Sequence, residues 1–458
     1  MTNLAKDALP PLPPGEGRGE GVLAAQQETP VPSDPGPVIP NTTPQDPLTP
    51  TLSRREREPA ASYPTWLPIL LGVLTAVGPL STDMYLPAFP AIEASLGGRP
   101  GTAQITLATW FAGLALGQIT QGSLSDRFGR RGPLIVGTAV YALANAGCAL
   151  APDLFSLSVL RFVAAFGGSA SMVIPRAIVR DLADGHAAAR LMSRLMLVMG
   201  VAPILAPTLG GLVLGVAQWH AIFWLTSIYG AVCFILVLRF LPDTLEPARR
   251  IRLGPAGMLA RYAGVLRDRV FLSYALMGGW GMFGMFAYVG GSAPVLIQRF
   301  GFTPTHYGMV FGASAGAFIV ASQVNPHLLQ RFGAPRVIRA GVSVYLVAAS
   351  VLLACAVLGL GGPLGVVLPV VFVMGSMGFV MPNSAVGALS RHAAQAGSAS
   401  ALMGTMQFCL AACSGVLVGL LTDGTARPMA ALMLAGAIGT VAADRLRPKL
   451  VVKERVSA

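Results

Sequence analysis

Between Asp268 and Asp423 the chain has no aspartate and no glutamate. Nothing in that stretch can carry a proton on a carboxylate. Lysine is nearly as scarce. The three that occur, Lys6, Lys449 and Lys453, all lie in the tails. A phosphate-cradling P-loop needs a lysine directly after its glycines, so that route of ATP use is excluded. Work done by this chain draws on a gradient, or is passive. Charge of either sign is sparse as well, at 11% of residues against 53% hydrophobic, where a soluble domain carries about 25% charged residues. Such a chain has no aqueous surface to present and belongs in a bilayer. The formal net charge of +12 sits in short loops, which sets aside a nucleic-acid partner. The five cysteines (148, 233, 355, 409, 413) all fall in apolar stretches, which excludes a disulfide framework. Cys409 and Cys413 share a helix face and read as small packing residues, because a metal site wants more ligands at defined spacing. The histidines are scattered and form no site, so neither metal nor cofactor is expected. No nucleophile–base pair stands out either, which argues against an enzyme.

What is present changes character along the chain. Residues 1–62 are proline-rich, opening with "LPPLPPGEGRGEG". Such composition cannot bury a core, and without a continuous apolar stretch it is not a signal peptide. It reads as a disordered cytosolic tail, or as sequence ahead of the true start. From Trp66 onward, apolar runs of membrane-spanning length alternate with short polar breaks. Twelve are expected, at about 66–87, 103–124, 133–151, 155–179, 191–214, 220–241, 270–292, 306–329, 337–360, 364–388, 398–421 and 428–443. The longest interior break, 242–269, divides them six and six. The expected layout is therefore an all-α membrane protein. Residues 63–241 form one six-helix bundle, 242–269 a central loop and 270–443 a second bundle, ahead of a basic tail at 444–458.

Arginine sets the orientation. With the N-terminus inside, the inner loops and tails hold most of the arginines, including Arg127, Arg130, Arg131, Arg180 and those between 249 and 269. The outer loops keep only Arg99, Arg299 and Arg427. By the positive-inside rule both termini are cytoplasmic. A weak repeat supports two related halves: "DRFGRR" at 126–131 aligns with "QRFGAPR" at 330–336, each between the second and third span of its half.

Three features carry chemistry. Asp83, in "STDMYLPAFP", is the acid expected inside a span of the first half. Acids there are costly and commonly line ion or proton paths, although one close to the outer end simply reaches water. Arg161, in "LRFVAAFGG", is placed by helix rise at similar depth in the outer half of the bilayer. It is the natural counter-charge for Asp83. "MGVAPILAPTLGG", 199–211, contains Pro203, Ala206, Pro207, Gly210 and Gly211, a pattern for a kinked and closely packed helix. Tyr288, Asn383 and Gln407 are polar or aromatic groups within spans. They can line a cavity or bond between helices.

These residues resemble the major facilitator superfamily, and within it the Bcr/CflA group of drug:proton antiporters, over about 66–443. "GQITQGSLSDRFGRRGPLIVG" looks like the superfamily's loop motif, with Gly122, Asp126, Arg127, Gly129, Arg130 and Arg131 in place. "GVAPILAPTLGG" looks like the fifth-span motif of exporters, with Ala206 where glycine is commoner. "STDMYLPAFPAI", "PRAIVRDL", "WHAIFW" and "AGSASALMGTMQF" look like the Bcr/CflA pattern. Ala164 departs from the fourth-span motif, which places glutamine three residues after its arginine. The resemblance implies a secondary transporter of the bacterial inner membrane, monomeric, exporting drug-like compounds in exchange for protons through Asp83 and Arg161. A proton-coupled exporter of a small metabolite is the alternative. The resemblance also implies a latch. Asp126 would lie near the start of span eleven, at Ser398–Ser400, where a helix N-terminus attracts an anion. Arg180, next to Asp181, would be able to pair with Asp126.

The composition of residues 2–60 generates the first prediction. Their deletion should leave transport in reconstituted vesicles near the level of the full chain. A truncated protein that reaches the membrane yet moves nothing would give this segment a role.

Overall fold

A computed structural model describes residues 64, 66–99, 101–182, 185–247, 250, 255–392 and 396–447, apart from some side chains between 185 and 204, at 255, 256 and 258, and at 396. The tail expected at 1–62, residues 448–458 of that expected at 444–458, part of the central loop and the side chain of Pro203 lie outside the described residues. What is described belongs to one unit, 59–458.

Every regular element among the described residues is helical. In chain order they are α1 (Leu67–Asp83), α2 (Phe89–Ser95), α3 (Ala103–Phe128), α4 (Arg131–Ala149), α5 (Leu154–Leu182), α6 (Gly185–Val216) and α7 (His220–Phe240). After these come α8 (Pro255–Leu266), α9 (Arg269–Ala293), α10 (Pro304–Phe332), α11 (Ala334–Leu358), α12 (Gly362–Leu389), α13 (Ala396–Leu421) and α14 (Arg427–Leu446). Ten helical segments among the described residues are long and apolar enough to cross a membrane. The hydropathy pattern predicts twelve. α3 falls short because its polar residues Gln104, Thr106, Gln118 and Gln121 lower its hydropathy. All four are buried inside the protein. In α6 only Leu205–Val216 counts, as a shorter apolar helix.

Three differences from the sequence reading have plain causes. The first expected span, 66–87, is broken after Asp83 and resumes through a 3-10 turn, Leu86–Ala88, into α2. Pro87 has no N–H to offer the Asp83 carbonyl, so the α-helical ladder cannot continue there. Second, α3, α5, α6 and α10 run several residues past their apolar stretches. Hydropathy marks the hydrocarbon layer, whereas the backbone ladder continues into polar surroundings without penalty. Third, the break at 242–269 contains α8. This helix buries Val265 and most of Tyr262 while exposing Leu259 and Leu266. The Asp268 carboxylate then accepts from the Val270 N–H at 2.9 Å and caps the start of α9.

Among the earlier helices, α3 and α4 pack on α5, α4 on α7, and α1 on α6. Among the later ones, α9 packs on α12 and α14, α11 on α12 and α14, and α10 on α12. The broadest joins between the two sets are α3 with α13 and α6 with α10. The aligned segments at 126 and 330 also match in shape. Gly129 and Gly333 end α3 and α10 with φ of +93° and +77°, a region that glycine enters without a Cβ penalty. In both, an arginine (Arg127, Arg331) lies 5.3 Å from the ring of the following phenylalanine.

The proline–glycine pattern of α6 makes contacts of backbone on backbone. A Cβ on Gly210 would collide with the Met84 carbonyl oxygen, and one on Gly211 would lie 2.7 Å from the Pro304 carbonyl oxygen. A Cβ on Gly308 would meet Thr208 Cα at 2.9 Å. Ala206 between them is fully buried. α6 therefore lies directly against the broken end of α1 and the first turn of α10, which fixes the backbone beside Asp83. Overpacking of this kind costs about 1–3 kcal/mol. Gly210→Val should thus lower the thermal unfolding midpoint in detergent. Gly215→Val, where a Cβ meets nothing within 4 Å, should leave it unchanged. Equal midpoints for the two variants would show that the close contact is not required.

Candidate functional site

Asp83 is the last residue of α1, and the break that follows it turns the chain away. Its side chain is buried, with 7% of the residue exposed. It makes no hydrogen bond or ion pair with any described residue. Asp83 lines a cavity of about 230 Å³ between helices of both sets. α1 contributes Pro79, Thr82 and Asp83, α3 contributes Phe111, and α5 contributes Met172. From the later helices come Met282, Met285, Phe286 and Tyr288 of α9, Phe311 and Phe318 of α10, Met374 of α12 and Phe408 of α13. Asp83 is the only charged residue in that lining. The rings are arranged, not scattered. Tyr288 stacks on Phe311 at 5.4 Å, and Phe111 meets Phe286 edge to face at 4.1 Å.

Arg161 is not the counter-charge of Asp83. Its guanidinium donates from Nη1 to the Ser81 carbonyl at 3.0 Å. It lies 4.1 Å from the ring of Tyr85, 4.3 Å from Trp110 and 5.8 Å from Phe223. Nε and Nη2 are buried without hydrogen-bond partners. The aromatic faces stabilise this cation in place of water. The Ser81 hydroxyl is in short hydrogen-bond contact with the Tyr141 hydroxyl of α4, so this side of α1 faces the earlier helices. Two residues further on, about 200° around a helix, Asp83 faces the cavity. Similar depth along the helix axis put the two charges at one level, but rotation about that axis separates them. Ala164, the departure from the fourth-span motif, is fully buried.

Tyr288 is the one cavity candidate from the sequence that reaches this cavity, and its hydroxyl donates to Ser314 Oγ at 3.3 Å. Asn383 instead donates to Asn325 Oδ1 at 2.9 Å and to the Phe379 carbonyl at 2.8 Å. It is a bond between α12 and α10, not a lining group. Gln407 packs beside Gly278 of α9 and lies outside the cavity lining too. One acid was missed by reading Asp83 as the sole intraspan carboxylate of the first half. Glu93, in α2, lies in the continuous apolar segment Leu67–Ser95 and is buried. It accepts from the N–H groups of Gly101 at 2.8 Å and Ala103 at 3.1 Å. These bonds satisfy orphan donors at the start of α3, a structural task. Its position straight after the apolar "AFPAI" was the available signal.

The loop at 122–132 is organised by Arg130, not by Asp126. Arg130 is 5% exposed. It donates from Nε to Asp181 Oδ2 at 2.7 Å, from Nη2 to Asp181 Oδ1 at 3.3 Å, and from Nη1 to Asp126 and to Ser125 Oγ, the latter at 2.9 Å. Its backbone N–H donates to Asp243 Oδ1 at 2.8 Å. Burial disfavours the charged guanidinium, yet the hydrogen bonds and charges of Asp181 and Asp126 outweigh it and raise Arg130 above its ordinary value. Gly129 lies so close to the Asp243 carboxylate that no Cβ fits. Arg131 donates to the Leu238 carbonyl at 2.8 Å. Arg127 is exposed and lies against Phe128. The expected Arg180–Asp126 pair does not form. Arg180 instead lies near Gly397, and a Cβ there would be 3.7 Å from its Nη2. Asp126 shares a cavity of about 450 Å³ with Gly122, Gly397, Ser398 and Ser400, so the loop and the start of α13 face each other. The hydrogen bonds of Asp126, however, stay with Arg130.

A buried acid lining a largely apolar cavity, in a bundle of membrane-length helices, points to a membrane transporter. The chain belongs to the Major Facilitator Superfamily, whose profile matches residues 71–416. It is 36% identical to the "uncharacterized MFS-type transporter YdgK" of Bacillus subtilis (strain 168), over 81% of this chain and 92% of that protein. It is 30% identical to the "bicyclomycin resistance protein homolog" of Haemophilus influenzae, over 79% and 90%, in keeping with the Bcr/CflA resemblance. A bacterial homologue of the human lysosomal transporter Spinster, solved in an inward-facing, occupied conformation, shares the fold. Its TM-score is 0.64 at 14% identity, over 83% of this chain and 95% of that one. The protein is thus a multi-pass membrane transporter.

The hub generates a prediction. Removing one partner from a buried ion pair costs about 3–5 kcal/mol, because a charge is left uncompensated. Arg130→Ala should therefore lower the thermal unfolding midpoint far more than Arg127→Ala, whose side chain meets only Phe128 and solvent. Asp126→Asn, at a half-exposed site, should fall between them. Equal effects of the two arginine variants would reduce the loop to a signal of orientation.

Proposed function

We propose that this transporter is a secondary active exporter of drug-like molecules, exchanging them for protons across the bacterial inner membrane. It would act as a monomer of two six-helix bundles, 63–241 and 270–443, joined by the central segment and with both termini in the cytoplasm. The observation that carries the reading is the unpartnered Asp83 carboxylate, buried in a cavity to which both helix sets contribute. A carboxylate in such a place is costly and is retained for what it binds. Between Asp268 and Asp423 the second half has no acid that could substitute. A site of this kind couples two ligands when each changes the affinity for the other. Substrate binding would expel the proton from Asp83, and proton binding would favour substrate release.

The name of the Haemophilus relative supports a drug as the exported molecule. The lining supports it as well, since a sugar-like metabolite wants several hydrogen-bonding groups, and this cavity offers few. In the proposed cycle Arg161 positions the end of α1 through Ser81, and does not exchange protons with Asp83. The Arg130 hub holds the gating loop together while the loop and the start of α13 approach and part. Gly210 and Gly211 keep α6 against α1 and α10 at the opposite end.

Asp83→Asn keeps the shape and removes titration. In liposomes, substrate addition should release protons from the wild type and none from the variant. Uphill export driven by a pH gradient should be lost, while downhill exchange persists. A variant that still releases protons and concentrates substrate would rule out Asp83 as the coupling site.

A further inference from the structure

We propose that the cavity of about 450 Å³ between the ends of α3 and α5, α8 and the start of α13 binds a phosphate-bearing anion. Its lining holds five arginines, Arg127, Arg130, Arg176, Arg180 and Arg261, against one acid, Asp126. That acid and Asp181 are both engaged by Arg130. The wall from α12 and α13 can add no counter-charge, since between Asp268 and Asp423 the chain has neither aspartate nor glutamate. A concave surface with this excess of one sign focuses its field on a ligand of the other sign.

Two sequence motifs to which the transport cycle gives no task meet here. "PRAIVRDL" places Arg176 and Arg180 four residues apart, on one face of α5. Like charges at that spacing oppose each other and destabilise a helix. "AGSASALMGTMQF" opens α13, where the first-turn N–H groups have no intrahelical acceptor and the helix dipole is positive. Arg180 reaches this start, for a Cβ on Gly397 would lie 3.7 Å from its Nη2 and 3.8 Å from its Nη1. A guanidinium beside the positive end of a helix is unfavourable by itself. An anion between the two turns both into partners, and it offsets the repulsion of Arg176 and Arg180 as well. Ser398 and Ser400 add hydroxyl donors to the same lining, and Arg261 adds a cation from α8. A phosphate group suits this set. Its several oxygens can accept from guanidinium forks on two helices and from backbone N–H groups on a third. Such an anion ties α5 and α8 to α13, across the join between the earlier and the later helices.

The same chemistry has two sources, a soluble phosphate compound or a lipid headgroup, and the test has an arm for each. In the first, inorganic phosphate is titrated by calorimetry into the full chain in phosphatidylcholine nanodiscs. Chloride keeps the ionic strength fixed, so that screening is constant. In the second, nanodiscs containing phosphatidylglycerol are opened with detergent, and lipid retained on the protein is read by native mass spectrometry. The wild type should bind at least one of the two probes. Arg180→Gln combined with Arg261→Gln should weaken that binding at least about tenfold, as expected for lost hydrogen bonds between charged groups. Arg336→Gln, which lines a different cavity, should leave it unchanged. Binding of inorganic phosphate that the double variant loses assigns a soluble ligand. Retention of phosphatidylglycerol alone, lost in the same variant, assigns a headgroup. A wild type that binds neither probe overturns the site, and this result needs no variant to fold. Binding that survives the double variant overturns it too, and so does an equal loss in Arg336→Gln, which would mark a general attraction to basic surface. Every readout is of binding, so proton exchange at Asp83 stands or falls separately.

Discussion

A carboxylate without a partner in an apolar interior is the constraint on which the rest of this protein depends. Desolvation of a charged group is too costly to be incidental, and several features converge to hold Asp83 there. Pro87 ends the hydrogen-bond ladder of α1 directly after it. Gly210 lets α6 lie against the Met84 carbonyl one residue further on. Arg161 fastens the preceding turn through the Ser81 carbonyl while being kept off the carboxylate. Each acts on backbone position, so the side chain is left free to face the cavity.

The two arginines 161 and 130 show opposite solutions to the burial of a cation. Arg130 is surrounded by carboxylates and a hydroxyl, and these hydrogen bonds tie the ends of α3 and α5 to the chain after α7. Arg161 has one carbonyl and otherwise aromatic faces. A hub of ion pairs draws its strength from geometry and is lost when a partner moves. A cation held by rings is less directional. The first ties several chain segments together at one point, and the second gives a support beside Asp83 that brings no counter-charge to it. The later half repeats the shape of the loop but not its charge. Gly333 and Arg331 echo Gly129 and Arg127, whereas Gln330 stands where Asp126 would be. Among the described residues, the hub on this loop is therefore confined to the earlier half.

Much of this was legible in the residues. Apolar run length located the long helices within a few residues, because hydrocarbon thickness and helix rise together set that length. The scarcity of acids singled out Asp83, and the Pro–Gly pattern at 203–211 announced close packing. The gaps were of one kind. Depth along a helix axis can be counted from sequence, and Arg161 does meet α1 near Asp83, at the Ser81 carbonyl two residues earlier. The direction in which a side chain points depends on what packs around the helix, and here rotation separates the pair. Asn383 and Gln407 were indistinguishable from Tyr288 for the same reason, since a polar group in a span serves equally as lining or as a bond between helices. Glu93 escaped notice because its partners, Gly101 and Ala103, lie just before and at the start of the next helix.

By itself, then, the sequence determined the class of protein, the course of most of the long helices and the place of Asp83 inside a span. These follow from local properties: hydropathy, the absence of a proline N–H, and the presence or absence of a carboxylate. Only the tertiary structure decided which charges meet. It gave Arg130 both Asp126 and Asp181, denied Arg161 to Asp83, and brought rings from the later helices into the cavity that Asp83 lines. Those outcomes rest on helix rotation and on contacts between segments far apart in the chain, and no local pattern encodes either.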